Sequence, residues 1–578
     1  MVALYQVDDN SLRSMGERSS PVGLATLPER GRTHAAIVAV LIFVYLLLLL
    51  GSLRTTSITT DEFGHLPLGY GYLTKGDSRW LLMNPPSQRI LAALPLLFSE
   101  NISLSAALPT KDFDFWKVGM SFMQENREVY HSLYMRGRAV IALLACITGL
   151  FIYGLARMIA GPRAGVVALM LFAFSPDFLA HGGLVTTDLS AALASIAVVL
   201  FTLHYCRHRS LLRFGLVCLS VSLLFLSKFN SLYFLLLIPA MLFFGHKVDP
   251  TNEGSVGKRP APGRILFELA LICFSSWLLL CAAYQFQALF IPISEYSIKS
   301  ELLTTLQSSM PWLPVPLPGA YFHALDLQFY DTSRPWSSYL LGQLSHEKSV
   351  WYYPICFLYK TPLAMLLMLV ICPFIARWRS ALWSLIPGLF YVLVFLILPG
   401  KQYGFRFMLP AVGFFIVFVA STLTYPRLRV SGRCGLLTGI VFFVLMLWYS
   451  VGTLLSYPHY ISYFNELAGG PRQPHRGHEI LADSNLDWGQ DWIRLAKWQE
   501  KEDIRELKLA YFGLVDPAIY GVRYRPARCQ VTTGYVAVST NIVLGVDPFR
   551  PNNRCFTKLR HAIPVARPGP SIWVYRFP

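Results

Sequence analysis

Long apolar runs separated by short polar connections dominate the chain. They lie near 35–53, 139–159, 166–180, 189–205, 214–227, 231–245, 265–290, 355–376, 381–399, 408–425 and 435–454. A helix crosses a hydrocarbon core of about 30 Å with about 20 residues, so the pattern predicts about eleven transmembrane helices. The short runs at 166–180 and 214–227 fall below full span length. Two polar stretches interrupt the pattern on a larger scale, 54–138 and 291–354, and after Ser456 the composition becomes that of a globular domain. The predicted architecture is a polytopic α-helical membrane domain over 35–455, followed by a small α/β domain over 456–578.

Charge orients this arrangement. Arg157 and Arg163, Arg207 with Arg209 and Arg213, Lys247 through Arg264, Arg377 with Arg379, and Arg427 through Arg433 fall on alternate connections. Basic loops stay in the cytoplasm. Residues 1–34, with Arg13, Arg18, Arg30 and Arg32, then read as a disordered cytoplasmic tail. That tail is too long and mixed for the n-region of a cleaved signal peptide, so the first span is expected to be retained. An odd number of spans sends the C-terminal domain outside, to the extracytoplasmic or periplasmic face of a plasma (inner) membrane. Of 578 residues 54% are hydrophobic and 14% charged, and the net charge is +17. Because the basic residues flank the spans, this excess is assigned to cytoplasmic loops and anionic headgroups, not to nucleic acid.

The other connections must face outward. They hold Asp61-Glu62, directly after the first span, together with Asp188, Lys228 and Arg406, with Arg136 and Arg138 near the outer end of the second span. Adjacent carboxylates beside a bilayer are costly unless they face water or a polar cavity. Cations at headgroup level can hold a phosphate, and a carboxylate can accept a proton. Ordinary cations that snorkel to the interface would look the same one at a time. Lys228 resists that explanation best, because it interrupts an apolar pair of runs as Leu226-Ser227-Lys228-Phe229-Asn230.

The 291–354 loop, with Pro311-Trp312-Leu313-Pro314-Val315-Pro316-Leu317-Pro318, Tyr321 and Trp336, suits a sugar groove or the membrane interface, the latter slightly favoured. Further on, 478–484 reads as a strand, an amphipathic helix runs from Trp492 to about Glu502, and strands follow at 507–512, 535–540 and 572–577. Asp483, Asp487 and Asp491 suit helix capping better than cation binding, since the glycine and terminal Glu of an EF-hand are missing. Most of the ten cysteines lie in apolar runs, but Cys529 and Cys555 sit in the polar C-terminal part. They are candidate disulfide partners in an oxidising compartment. No Cys/His group has zinc-ligand spacing.

Taken in order, these residues resemble the GT-C membrane glycosyltransferases, in particular the prokaryotic protein O-mannosyltransferase-like group (family 39). The resemblance rests on Thr60-Asp61-Glu62-Phe63-Gly64-His65-Leu66, Gly69-Tyr70-Gly71-Tyr72-Leu73, Asn84-Pro85-Pro86, Gly137-Arg138-Ala139, Gly161-Pro162-Arg163-Ala164-Gly165 and Thr186-Thr187-Asp188. It continues through Ser227-Lys228-Phe229, Trp351-Tyr352-Tyr353-Pro354, Lys360-Thr361-Pro362, Gly404-Phe405-Arg406-Phe407-Met408-Leu409-Pro410 and 483–491, covering about 35–575. It implies an inverting transfer of a sugar from a polyprenyl-phosphate donor to a hydroxyl of a glycan, lipid or protein at the outer face. Asp61 would be the base, with Glu62 and Asp188 supporting it. Arg138, Lys228 and Arg406 would hold the donor phosphate, and His65 and Asn84 are candidate acceptor contacts. Aminoarabinose-transferring relatives carry Glu-Lys before Pro-Pro, used for a metal and the donor phosphate. This chain has Met83-Asn84, so no zinc is expected there and no cofactor is required, which leaves a divalent metal elsewhere open. The 291–354 loop is too short for the β-trefoil of eukaryotic relatives, so protein acceptors gain no preference. The alternatives are a lipid-linked-sugar transporter or flippase, which should show internal repeats, and a noncatalytic envelope-glycan assembly protein.

Overall fold

The computed structural model describes residues 29–109, 114–245, 260–334, 336–376, 378–398, 401–424, 433–529, 533–547 and 554–578. Most of the expected tail, 1–34, and parts of the basic connections at 247–264, 377–379 and 427–433 lie outside the described residues. Helices occupy every predicted run. Among the described residues, seven are long and apolar enough to cross a membrane: Arg32–Leu53, Tyr130–Ala160, Asp188–Arg207, Pro262–Ala283, Ser380–Ile397, Phe405–Leu423 and Leu436–Leu455. The chain is an integral membrane protein.

The remaining runs depart from simple spans for identifiable reasons. Tyr352–Lys360 and Leu363–Ile375 meet at an angle of 108°, so the single span expected at 355–376 is broken. Thr361 precedes Pro362 and is extended (φ −79°, ψ 133°), the conformation a following proline imposes. Pro162–Ala173, Leu211–Ser227 and Phe229–Phe244 are shorter apolar helices. The last two are separated at Lys228, whose backbone is extended (φ −158°, ψ 139°).

Burial orders the helices. The Phe405–Leu423 helix is the most enclosed, with 94% of its apolar window buried, whereas Arg32–Leu53 and Leu436–Leu455 expose Phe43, Leu47, Leu436 and Phe443 at the perimeter. Arg406 therefore starts the central helix, and whatever it touches lies over the middle of the bundle.

The first long loop is structured, with helices Glu62–Lys75, Ser87–Ala93 and Asp114–Glu125. The second folds as Glu301–Ser309 and Gly319–Ser333, an antiparallel pair Ile291–Pro292/Pro314–Val315, and a hairpin Ser338–Leu340/Gln343–Ser345. Its aromatics divide: Trp312 is exposed, while Tyr321 packs inward against Tyr284 and Phe229.

The C-terminal region carries a four-stranded sheet ordered Tyr524–Pro526, Leu507–Ala510, Gly534–Ser539, Ile572–Phe577. The first two contacts are parallel and the last antiparallel. Helix Trp492–Lys501 covers it through Trp492 and Leu495. Cys529 and Cys555 form a disulfide, with Cα atoms 5.4 Å apart. One expectation fails: residues 478–484 are not a strand. They form parts of the short turns Pro474–Glu479 and Asp483–Asn485, with one isolated bridge from Leu481 to Leu340. The Ile480 and Leu481 amides both donate back to the Gly477 carbonyl, at 3.0 and 2.9 Å, so the backbone there turns and does not extend into a ladder. One hydrophobic core runs through both regions, joining Leu486, Trp488, Phe512 and Trp573 to Ile58, Phe63 and Phe414. Residues 456–491 are thus the seam between the two.

Candidate active site

The segment after the first span is pinned at both faces. Ser57 N donates to the Gln490 carbonyl at 3.1 Å, Thr60 N to the Trp488 carbonyl at 3.0 Å, and Ser57 Oγ to the Gly489 carbonyl at 2.8 Å. Asp61 occupies the cap position of Glu62–Lys75 but makes no side-chain cap bond. Its carboxylate is therefore available, and Arg406 Nη1 holds Asp61 Oδ2 at 2.5 Å.

Arg406 is presented by the turn Phe405–Met408, entered through Gly404 at φ 117°. A β-carbon on Gly404 would lie 2.3 Å from Ser484 Oγ, so this close approach needs glycine. Phe405 N donates to Asn485 Oδ1 at 2.9 Å, and the guanidinium lies over Trp488, 4.3 Å from its ring centre. The same Arg406 nitrogen lies 3.6 Å from Asp188 Oδ2. Asp188 begins the helix Asp188–Arg207; it accepts from Lys228 Nζ at 2.6 Å and from Thr186 Oγ1 at 3.1 Å. The Lys228 ammonium sits 3.8 Å above the Phe407 ring. Asp61, Arg406, Asp188 and Lys228, from four separate parts of the chain, thus form one network. Within it, Asp61 has the most exposed side chain at 30%, against 1% for Asp188.

Glu62 and Arg138 stand apart from this network. Both are completely buried and paired at 2.6 Å. Arg138 also donates to the Thr56 and Ser57 carbonyls, while Glu62 accepts from Thr59 N, Thr59 Oγ1 and Val185 N. Burial opposes ionisation of Glu62, but Arg138 and these N–H donors hold its carboxyl below the usual range. The guanidinium expected at a donor phosphate is instead used up in bracing residues 56–62. Glu62 likewise points into that brace, away from Asp61.

His65 is buried edge-on against Phe115, with its Nδ1 lacking a hydrogen-bond partner among the described residues. Burial, then the Arg89 charge, pushes its pKa well below the ordinary value, so it is neutral. Asn84 is half-buried in the turn before Ser87–Ala93 and takes part in none of the network's hydrogen bonds. Among the described residues, no group of three or more His, Cys, Asp or Glu side chains is gathered as a metal site.

Sequence reasoning missed what the 483–491 segment does. Its acids are internal acceptors and not helix caps: Asp487 accepts from Gly489 N at 3.1 Å and Asn541 N at 3.3 Å, and Asp491 from Ser571 N at 3.1 Å and Ser571 Oγ at 2.7 Å. Asp483, at φ 57°, accepts from Ser484 N at 2.6 Å and lies within electrostatic range of Arg406 and Asp61. Burial pushes its carboxyl up to about 6, against the pull of Arg406. Lys360, below, donates to the Ile461 and Asn485 carbonyls at 2.9 and 2.7 Å. The clustering of Asp, Asn, Trp and Gln at 483–491 was the available signal; its target, a loop some four hundred residues away, was not (Trp488 to Thr60, a separation of 428).

The sequence model of the dolichyl-phosphate-mannose-protein mannosyltransferase family matches residues 128–279. No curated protein matches the chain. Among solved structures, ArnT from Cupriavidus metallidurans bound to undecaprenyl phosphate is similar at 13% identity over 95% of this chain and 98% of that one, with a TM-score of 0.45. The archaeal oligosaccharyltransferase AglB from Archaeoglobus fulgidus is similar at 12% identity over 89% and 70%, with a TM-score of 0.44. The arabinofuranosyltransferase AftD from Mycobacteria is similar at 13% identity over 89% and 35%, with a TM-score of 0.37. The chain resembles the dolichyl-phosphate-mannose-protein mannosyltransferases, matching their family model over the stretch that carries Arg138, Asp188 and Lys228.

Proposed function

We propose that the protein is an inverting glycosyltransferase that moves a sugar from a polyprenyl-phosphate donor to an acceptor hydroxyl at the outer face of the plasma membrane. The observation that carries this reading is the Asp61–Arg406–Asp188–Lys228 network, which pairs one accessible carboxylate with two cations over the central helix. The matched family, named for a dolichyl-phosphate-linked mannose donor and a protein acceptor, supports a lipid-phosphate donor. The acceptor here is a glycan, lipid or protein hydroxyl. In the same reading the N-terminus is cytoplasmic, and residues 456–578 form an extracytoplasmic domain that closes over the site.

The chemistry follows from the charges. A phosphate entering the network competes with Asp61 for the Arg406 guanidinium, and Asp61 is released to accept the acceptor's proton. The acceptor oxygen attacks the anomeric carbon while the bond from that carbon to the phosphate oxygen breaks. The electron pair leaves with the lipid phosphate, whose growing negative charge Lys228 and Arg406 stabilise. A single displacement inverts the anomeric centre. Asp188 holds Lys228 and Arg406 in place, and the Glu62–Arg138 brace keeps Asp61 in register.

The test is transfer of radiolabelled sugar by purified protein from a panel of polyprenyl-phosphate sugars into membrane extracts. Label should enter a product with inverted anomeric configuration. No transfer from any donor by folded protein would overturn the reading.

A further inference from the structure

A second group of cations lies in the C-terminal region, apart from the network above. A cleft of about 340 Å³ opens beside the loop that precedes the strand Ile572–Phe577, a size within the range of about 300–1,000 Å³ typical of small-molecule sites. Four of its lining side chains, His459, His475, Arg494 and Arg567, carry ring or guanidinium nitrogens, and none of the lining residues is a carboxylate. The cleft shares no residue with the Asp61–Arg406–Asp188–Lys228 network. Arg494, with 14% of its side chain exposed, donates to Asp491 and, through Nη2, to Thr55 Oγ1 at 2.8 Å, which leaves others of its five N–H groups for a ligand. Asp491 lies beneath the cleft, completely buried, with its carboxylate taken up by Arg494 and by Ser571 N and Oγ. Gly569, at φ 140°, lets the loop lie on that carboxylate, since a β-carbon there would sit 2.4 Å from Asp491 Cγ. Arg567, on the same loop, is exposed and lies 5.5 Å from the Trp573 ring centre; among the described residues no carboxylate pairs with it.

The two histidines add neutral donors. Burial, then the Arg567 charge, pushes the His475 pKa down to about 4, and burial lowers that of His459. Each neutral ring keeps one N–H to give. His459 Nδ1 is buried and has no hydrogen-bond partner among the described residues. Glu479 lies within electrostatic range of His475 but faces Arg476 at 3.4 Å. The neighbours of the cleft fix its depth. Thr55 closely follows the first span, Arg32–Leu53, and His459 closely follows Leu436–Leu455. Ser52 Oγ donates to the Pro458 carbonyl at 2.9 Å, which holds the two span ends level. Leu50, Leu454, Leu455 and Tyr457 are exposed at those ends, so the cleft sits where hydrocarbon gives way to headgroups.

We propose that this cleft binds the phosphodiester headgroup of an anionic bilayer lipid, with Arg567 and Arg494 pairing to the phosphate and His459 and His475 donating to the remaining oxygens. A lipid fits better than a soluble anion, because exposed Leu454, Leu455 and Tyr457 give its chains an apolar path away from the cleft. An anionic lipid fits better than a zwitterionic one, because a choline would bring a further cation to a wall without carboxylates. A headgroup seated there ties the 567–570 loop of the C-terminal region to the ends of the first and last spans. The inference does not depend on sugar transfer.

The test locates the lipid directly. Full-length protein in phosphatidylcholine nanodiscs that carry phosphatidylglycerol with a photoreactive headgroup is illuminated and digested, and labelled peptides are identified by mass spectrometry. Label should fall within 456–460, 474–476 or 567–570. Excess unlabelled phosphatidylglycerol should remove it, whereas added phosphatidylcholine or inorganic phosphate should not. Arg567→Gln should lower the apparent affinity for phosphatidylglycerol about fivefold and Arg567→Glu about 25-fold, the contributions of one and two near-surface charges. Because Arg567 is exposed and has no carboxylate partner among the described residues, neither variant should lower the unfolding midpoint in phosphatidylcholine alone. His459→Phe, which keeps a ring in place, should weaken labelling by about 3- to 10-fold. Arg157→Gln, outside the cleft, should leave it unchanged. Label confined to other segments, or an affinity unchanged in both Arg567 variants, would overturn the proposal. Competition by inorganic phosphate as strong as that by phosphatidylglycerol would overturn it too, marking a site for soluble anions.

Discussion

Replacing Glu62 by glutamine tests the claim that Glu62 braces the site and does not act in it. Glu62 is completely buried and accepts from Arg138 Nε at 2.9 Å and Nη2 at 2.6 Å, Thr59 N at 2.9 Å, Thr59 Oγ1 at 3.0 Å and Val185 N at 3.0 Å. Glutamine keeps one acceptor oxygen and turns an amide against the remaining donors, while Arg138 loses its only counter-charge among the described residues. Breaking a buried ion pair from one side costs about 3–5 kcal/mol. At about 1.36 kcal/mol per decade, that raises the open population of residues 56–62 by about 10²- to 10⁴-fold. The Thr59 and Val185 amides report this opening, because both donate to Glu62. Their hydrogen exchange, followed by mass spectrometry in detergent, should accelerate by that factor in Glu62→Gln. The wild type carries the matching pH signature. Its Glu62 pKa is depressed by folding, so the pair's stability is present above the unfolded value near 4.3 and is lost only as pH falls below it. Exchange in Glu62→Gln within about threefold of wild type would refute the brace.

Three further outcomes follow from the same geometry. Gly404→Ala places a methyl on Ser484 Oγ in a left-handed conformation (φ 117°), a strain of about 1–3 kcal/mol; Arg406 should shift, with a lower unfolding midpoint and a raised donor KM, and an unchanged KM would count against the turn's role. Asp483 has a raised pKa of about 6, so its favourable contribution is complete below the unfolded value near 3.9 and is lost as pH rises through about 6. Asp483→Asn should therefore gain stability over wild type between pH 4 and 7, by at most about 3 kcal/mol, and a gap that does not widen with pH would contradict this assignment. Removing the Cys529–Cys555 bridge, with its sequence separation of 26, should cost about 3.5 kcal/mol by loop entropy, read as a fall in the unfolding midpoint of Cys529→Ser/Cys555→Ser.

The membrane spans were legible because a long apolar run is a local signal, which survives without any knowledge of packing. Asp61, Asp188, Lys228 and Arg406 were legible for a related reason: a charge beside a span must find a partner, and all four were assigned to one face. Their pairing was not. Nothing local says that Arg406 reaches across 345 positions to Asp61, or that Arg138 turns inward to Glu62 while Lys228 turns to Asp188. Chain breaks were misread where proline or an extended residue intervenes, as at Pro362. The 478–484 segment was misread as a strand because its short apolar run, Ile480-Leu481-Ala482, looks the same in a strand as in a buried turn.

The central claim is that Asp61 takes a proton from an acceptor hydroxyl beside a lipid phosphate held by cations. The most direct measurement compares single-turnover sugar transfer by wild type and Asp61→Asn from the donor that the wild type uses, with the affinity for the lipid phosphate measured in parallel. The account predicts a rate loss of about 10²- to 10⁴-fold with folding and lipid-phosphate affinity retained. A variant that transfers at close to the wild-type rate would contradict it.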